Sequence, residues 1–268
     1  MSTNTKTNLK DVTFIIPVRV DSLERLENLK CVTTYLLGYF DTNIIVMEAD
    51  SENNGLLREI LPTEVEVIFE KDNNRTFHRT KYLNLLTLLT TTPYIAIWDA
   101  DVVVYHHQLL SAVESLRAGA YDFIYPYDGR YMETGVTFRR IFLSNHDLRP
   151  LEENADRMVA PYTKLACGGG FLAKKEAYVE AGMENENFTG WGPEDAERLR
   201  RWQGLEMRVG RVKGYMFHLF HPRGENSTFE SAEKRIELKG ELNRISAMSK
   251  ASLVAEIRIW NAKRASHY

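Results

Sequence analysis

The first hundred residues alternate between short, continuously apolar runs and longer stretches in which apolar positions recur every three or four residues. DVTFIIPV (11–18) is β-branched, unbroken and closed by a proline, the pattern of a buried strand. DSLERLENLKCVTTYLL (21–37) places leucines at 23, 26, 29, 36 and 37, which predicts a helix packed on a sheet and capped by Asp21 or Ser22. TNIIVMEAD (42–50) predicts a second strand, LLREIL a short helix stopped by Pro62, and EVEVIFE (64–70) a third strand. TFHRTKYLNLLTLLTTT (76–92) sets Tyr82, Leu85, Leu86 and Leu89 on one side of a helix, and PYIAIWDAD (93–101) reads as a fourth strand. The alternation predicts an α/β fold with a single, mostly parallel central sheet flanked on both faces by helices. Such sheets bind ligands beyond the carboxyl ends of their strands. Pro17 to Arg19, Glu48 to Asp50 and Asp99 to Asp101 all fall at such ends.

Beyond residue 101 the periodicity is less regular. HHQLLSAVESLRAG (106–119) predicts a helix ending at glycine, with His106 and His107 on the surface, and YDFIYPYD (121–128) a strand. Residues 129–165 are polar and fit either a helix or a flap. The three glycines 168–170 weaken any regular element, so they mark a close backbone approach or a bend. FTGWGPEDAERLRRWQG is a glycine-rich loop followed by a helix with Pro193 in its first turn. YMFHLFHPRGENS (215–227) predicts a strand running into a loop, and 230–264 a helical stretch with Gly240 as its weak point. No internal repeat or linker stands out.

Composition adds limits. The chain has 268 residues, 44% hydrophobic and 26% charged, typical of a globular protein, and its net charge of −3 gives no case for nucleic acid as a partner. MSTNTKTNLK is polar, which predicts no secretory signal, and no apolar run reaches the ~18 residues of a membrane span. Cys31 and Cys167 fit no metal or redox motif and read as small buried residues of a reduced, cytoplasmic protein.

Four groups carry candidate chemistry. Asp99 and Asp101 flank one small residue; on an extended backbone their carboxylates point to the same side and repel unless a cation intervenes. A divalent cation, Mn²⁺ or Mg²⁺, shared with a diphosphate would resolve this, whereas the plainer reading is two solvated acids at a turn. His218 and His221 would face opposite sides of a strand, but a bend would bring both imidazoles together as ligands. Trp191, on its glycine-rich loop, offers a flat face to a sugar, and Glu194 or Asp195 offers a general base; the alternatives are a core aromatic and complementation of a helix dipole. Arg19, Arg79 and Lys81, pointing at the same sheet edge, would offset phosphate charge, whereas the plainer reading of any one of them is solvated surface.

IPVRVDSLERLENL, FHRTKYLNLL, WDADVV, GGGF, GWGPED and HLFHPRGENS occur in an order that resembles the β-1,4-galactosyltransferase family and its bacterial relatives, over roughly residues 12–229. The resemblance implies a GT-A fold: a Rossmann-like nucleotide half (about 10–105), an acceptor and metal half (106–229), and a C-terminal helical extension (230–268). It implies an inverting, metal-dependent transfer of a hexose, galactose or N-acetylgalactosamine favoured, from a UDP-sugar to a glycan or lipid-linked saccharide in surface polysaccharide synthesis. By this resemblance Pro17, Val18 and Arg19 hold the nucleotide, with Phe77, Arg79 and Lys81 as a second wall and Glu48 or Asp50 reaching the uracil or ribose. Asp101 and His221 look like metal ligands, with Asp99 in support or on the ribose. His218 stands where a methionine ligand is frequent, a change that keeps the site metal-competent. Asp195 resembles the catalytic base with Glu194 beside it, and Trp191 and Gly192 resemble a mobile loop contacting donor and acceptor. Pro193 departs from the glycine of the animal enzymes, which puts loop closure in doubt.

The last 25 residues carry Arg244, Lys250, Arg258, Lys263 and Arg264 against Glu256, with Leu253, Ile257 and Trp260 on one helical face. That face would suit peripheral contact with the inner side of a membrane, or packing on the domain or on a second subunit. Three competing readings remain. A phosphatase or phosphotransferase using Asp-x-Asp usually carries the motif after its first strand. A non-catalytic sugar-binding module has no use for two acids, two histidines and a base. A sugar-phosphate nucleotidyltransferase should have a glycine-rich loop where this chain reads PVRVDSLERL.

Overall fold

The computed structural model describes residues 6–162 and 165–267. Residues 1–5, 163–164 and 268 lie outside the described residues, so MSTNTKTNLK, the 129–165 segment and the C-terminal extension are each described only in part.

The four runs of the first half form β1 (Thr7–Val18), β2 (Phe40–Asp50), β3 (Val65–Lys71) and β4 (Tyr94–Trp98). Between them lie α1 (Leu23–Tyr39), α2 (Leu56–Ile60) and α3 (Arg79–Leu89). Ser22 is the cap of α1, its hydroxyl accepting from the Arg25 amide. Next come β5 (Val102–Val103), α4 (His106–Arg117) and β6 (Phe123–Tyr125). The ambiguous segment resolves into β7 (Arg130–Glu133), α5 (Gly135–Asn145), α6 (Arg149–Glu153) and one 3₁₀ turn. The remainder is β8 (Gly170–Lys174), α7 (Lys175–Glu180), α8 (Glu194–Gly204), β9 (Val209–Arg211), β10 (Tyr215–His218), α9 (Ala232–Ser246) and α10 (Lys250–His267).

Seven strands make the central sheet in the order β3-β2-β1-β4-β8-β6-β9. All neighbours are parallel except β8, which runs antiparallel to both β4 and β6. The expected α/β architecture with a mostly parallel sheet is therefore the one the chain adopts. A small second sheet, β5-β10-β7, covers the carboxyl end of β4 and carries His218 at the end of β10.

Three boundaries differ from expectation. The fourth strand stops at Trp98, not at 101: the Asp99 amide still continues the ladder to Gly169 O at 2.9 Å, but Gly169 leaves the extended conformation at φ +83° and the chain turns at 100–101. Helix α3 starts at Arg79, not at 76, because the Phe77 amide donates to Asn226 Oδ1 (3.0 Å) and Phe77 O accepts from Gly190. The C-terminal stretch breaks at 247–249, where Ser249 caps α10 through the Ser252 amide, while Gly240 lies inside α9. His106, expected on the surface, stacks on Tyr39 at 4.1 Å and is half-buried.

The glycine triplet meets three different neighbours. A Cβ on Gly168 would lie 2.5 Å from Asp195 Oδ2, one on Gly169 2.6 Å from Met216 Sδ, and one on Gly170 2.6 Å from the Trp98 ring. Gly169 also has φ +83°, which L side chains rarely adopt.

Leu253, Ile257 and Trp260 of α10 are all buried, so the apolar face of the tail packs on the domain. Ile257 fills the space over Gly182, Leu253 that over Gly204, and the Arg201 guanidinium stacks 5.2 Å from the Trp260 ring. Much of the tail's positive charge is also matched. Arg244 pairs with Glu241 and Glu256, Lys250 with Glu206, and Arg264 donates to Gly182 O and Glu184 O. Among the described residues no helix is long and apolar enough to cross a membrane. Replacing Trp260 by Ala should lower the unfolding free energy by about 3 kcal/mol, read as a lower urea midpoint. An unchanged midpoint would mean that the tail is not part of the core.

Candidate active site and metal centre

Where the central sheet meets the small sheet, Asp101, His218 and His221 come together, their nearest ligand atoms all within 4.8 Å of one another. Asp101 leaves the turn after β4, and its position is fixed by Leu219 N donating to Asp101 O at 2.7 Å. The chain leaves β10 at His218, and the bend brings His221 back with the two ring centroids 5.3 Å apart. His218 Nε2 lies 3.5 Å from Asp101 Oδ1 and His221 Nε2 3.2 Å from Asp101 Oδ2. His221 Nδ1 is 2.8 Å from Pro222 O, which can only accept, so Nδ1 carries the proton and Nε2 is the nitrogen that could ligate a metal.

Burial alone would raise the Asp101 carboxyl, but His218, His221 and Arg25 hold it below the usual carboxylate range. Burial pushes His218 down, toward the neutral form that a metal needs, against the pull of Asp101. For His221 the hydrogen bond and charge of Asp101 outweigh burial and raise it. One carboxylate oxygen and two imidazole nitrogens on one small volume fit a first-row divalent ion with imidazole affinity, Mn²⁺ more readily than Mg²⁺. Arg25 Nη1, 3.4 Å from Asp101 Oδ2, supplies positive charge at the same carboxylate.

Asp99 has a different partner. Arg79 holds it with Nη2 at 2.6 Å and Nε at 3.2 Å, which leaves it outside the three-residue cluster. Arg79 Nη1 is buried with no hydrogen-bond partner among the described residues and stands 3.9 Å from Asp195 Oδ1. Arg19 is occupied by the fold: it donates to Ala49 O, Asn74 O, Arg75 O and Asp72 Oδ2, tying the ends of β1 and β2 to the 72–75 turn. Its guanidinium also faces the Phe77 ring at 5.5 Å, so it builds the wall of the cleft.

The third component is the start of α8. Asp195 accepts a hydrogen bond from Arg198, whose other nitrogen holds Glu184. Glu194 is buried, and its Oε2 has no hydrogen-bond partner among the described residues. Burial, with the Asp195 charge adding to it, pushes the Glu194 carboxyl up to about 8. Trp191 is 39% exposed, so it is not a core aromatic; it meets Phe229 edge-on at 4.8 Å.

One open cleft is lined by Pro17, Val18, Arg19, Phe77, Arg79, Asp99, Asp101, Trp191, Gly192, Glu194, Asp195, His218 and His221. Glu48, Asp50 and Lys81 are not among its lining residues. Glu48 is buried within β2, Asp50 accepts from the Ser51 amide, and Lys81 stands 3.9 Å from Glu70. The cleft also holds Arg25, Tyr131, Glu133, Tyr162, Arg223 and Asn226, none of which the sequence reading singled out. Arg25 was hidden in a helix read for its leucines. Its one signal was Asp21 four residues earlier, with which it pairs at 2.9 Å.

Residues 151–222 match the family model described as the N-terminal domain of galactosyltransferase, a segment that runs from α6 through both histidines. No curated protein sequence matches the chain. Among solved structures, the catalytic domain of Drosophila β1,4-galactosyltransferase 7 in complex with xylobiose is 16% identical, with a TM-score of 0.47 over 76% of this chain. The chain spans 64% of the length of that domain. Glucosyl-3-phosphoglycerate synthase from Mycobacterium tuberculosis, in complex with Mn²⁺, UDP-glucose and phosphoglyceric acid, is 14% identical, with a TM-score of 0.49 over 94% of this chain and 80% of that one.

A carboxyl raised on folding binds its proton more tightly in the native than in the unfolded state. The buried Glu194 therefore costs increasing stability as pH rises from its ordinary value of 4.5 to about 8. Glu194→Gln should gain stability relative to the unmodified protein across that window and hold a constant difference above it, measured by urea unfolding at a series of pH values without nucleotide. A pH-independent difference would place the Glu194 carboxyl at its ordinary value. His221→Ala or Asp101→Asn should weaken Mn²⁺ binding by roughly 10-fold or more in calorimetry, and unchanged affinity in both would rule out the cluster as the metal centre.

Proposed function

We propose that this chain is an inverting, metal-dependent glycosyltransferase that moves a hexose from a UDP-sugar to a hydroxyl of a glycan. The observation that carries the reading is the convergence on one cleft of Asp101, His218 and His221 with the Glu194–Asp195 pair and Trp191. The match of residues 151–222 to a galactosyltransferase family model supports it. In this reading residues 10–105 hold the nucleotide, residues 106–229 complete the metal site and receive the acceptor, and 230–268 is a helical extension.

Asp101, His218 and His221 would hold the ion, which when bound neutralises the charge that develops on a leaving diphosphate. The remaining roles belong to the chain itself. Phe77, faced by Arg19, offers an apolar surface to a base where Pro17 and Val18 line the cleft at the end of β1. The unpartnered Nη1 of Arg79 binds a phosphate oxygen or the transferring sugar, its other nitrogens being held by Asp99. Trp191 lays its ring against a sugar at the cleft mouth and limits water there. Asp195 takes the proton of the acceptor hydroxyl, whose oxygen attacks the anomeric carbon from the face opposite the nucleotide, so the configuration inverts.

Galactose or N-acetylgalactosamine is the favoured sugar, and a glycan or lipid-linked saccharide of surface polysaccharide synthesis the favoured acceptor. Membrane contact through the tail draws no support from its apolar face, which is buried on the domain. A phosphotransferase using Asp-x-Asp draws less support, because Arg79 ties up one aspartate and the imidazoles and Arg25 surround the other.

The test is a UDP-release screen across several UDP-sugars with Mn²⁺, with and without simple sugar acceptors. Asp195→Asn should lower transfer by roughly 100-fold or more while UDP binding is retained. Release of UDP from no donor, or near-normal turnover in that variant, would defeat the reading.

A further inference from the structure

Behind the cleft, Asp195 is the outer end of a buried chain of alternating charges. Arg198 donates through Nη2 to Asp195 Oδ1 and through Nη1 to both oxygens of Glu184, at 2.9 and 2.8 Å. Glu184 also accepts from Tyr178 OH at 2.6 Å. Arg198 and Glu184 are each only 1% exposed, and the guanidinium lies 4.5 Å from the Phe171 ring. On its other side the Asp195 carboxylate is pressed against Gly168, where a Cβ would lie 2.5 Å from Oδ2.

An ordinary helical pair of this spacing needs none of this. Exposed partners give a few tenths of a kcal/mol without taking two charges out of water, and buried ion pairs seldom repay their desolvation. What the arrangement does achieve is one orientation for a carboxylate that faces an open cleft: Arg198, held by Glu184 and packed 4.5 Å from the Phe171 ring and 5.6 Å from the Trp202 ring, fixes Oδ1, and the bare Gly168 backbone limits Oδ2. We propose that Arg198, braced by Glu184, is a positioning residue for the Asp195 carboxylate. The inference rests on the reading of Asp195 as the base. Arg198 is not among the residues that line the cleft; it acts by holding Asp195 in line with the acceptor proton, where small misplacements carry large rate losses.

Removing Arg198 alone strands a buried Glu184, so the informative variant is the neutral double replacement Arg198→Met with Glu184→Gln, in which Gln can still accept from Tyr178. The full-length variant should remain folded by urea titration and bind UDP and Mn²⁺ within about twofold of the unmodified protein, while kcat falls roughly 10- to 100-fold at little-changed acceptor KM. Arg198→Lys, which keeps a cation but not the fork that spans both carboxylates, should recover part of the loss. A double variant with kcat within about twofold of normal would overturn the positioning role. So would loss of UDP and Mn²⁺ affinity in step with kcat, since Arg198 would then act through the integrity of the cleft. Asp195→Asn with near-normal turnover fails differently: it removes the base itself, and this inference with it, whatever Arg198 does.

Discussion

Several carboxylates crowd one edge of the central sheet, and the structure depends on giving them cations. Asp99, Asp101, Glu194 and Asp195 all reach the cleft within one pocket, where repulsion would force protons onto some of them. Asp99 takes Arg79. Asp101 takes the two imidazoles and Arg25. Asp195 takes Arg198, which is itself balanced by Glu184. Glu194, whose Oε2 has no hydrogen-bond partner among the described residues, is pushed toward the neutral form, and burial raises Asp99 as well, against the pull of Arg79. The arrangement sorts chemically similar side chains into different tasks by neighbour rather than by type.

The site is built partly on the one reversed strand of the mostly parallel sheet. β8 runs antiparallel between β4 and β6, so its start, the glycine triplet, meets the end of β4. Gly169 O receives the Asp99 amide there, and Gly168 abuts Asp195. The small sheet completes the site from the other side by pairing β10 with β5 immediately after Asp101.

The strands of the sheet interior were legible in the sequence because strands buried on both faces read as apolar runs, as the inner parts of β1, β2 and β4 do, while β3, at the sheet edge, is only partly buried and carries Glu66 and Glu70 among its apolar residues. Their ends were less so. Asp99 and Phe77 commit backbone groups to Gly169 and Asn226, more than fifty residues away, which no local pattern registers. The 129–165 segment was unreadable because its elements are short and their burial depends on remote partners. Arg139 of α5, for example, is buried only because Asn28, Glu24 O and Glu27 receive it. Within the site, Asp101, His218, His221 and Asp195 stood out by residue type. Arg25 and Arg198 did not, since arginine on a helix is ordinarily a solvated residue, and the bonds by which Arg19, a cleft-lining residue, also braces Ala49 and Asp72 have no local signature.

The glycine triplet has a consequence for how this chain can vary. Three adjacent α-carbons face three separate parts of the molecule: the Asp195 carboxylate, the seam with the small sheet at Met216, and the Trp98 ring in the central sheet. A single methyl group would thus disturb chemistry at one position, inter-sheet packing at the next and the core at the third. The segment works as a junction whose value lies in what it lacks, and the route by which sequence change could reshape this cleft without unfolding it runs through the loops around the junction, not through the junction itself.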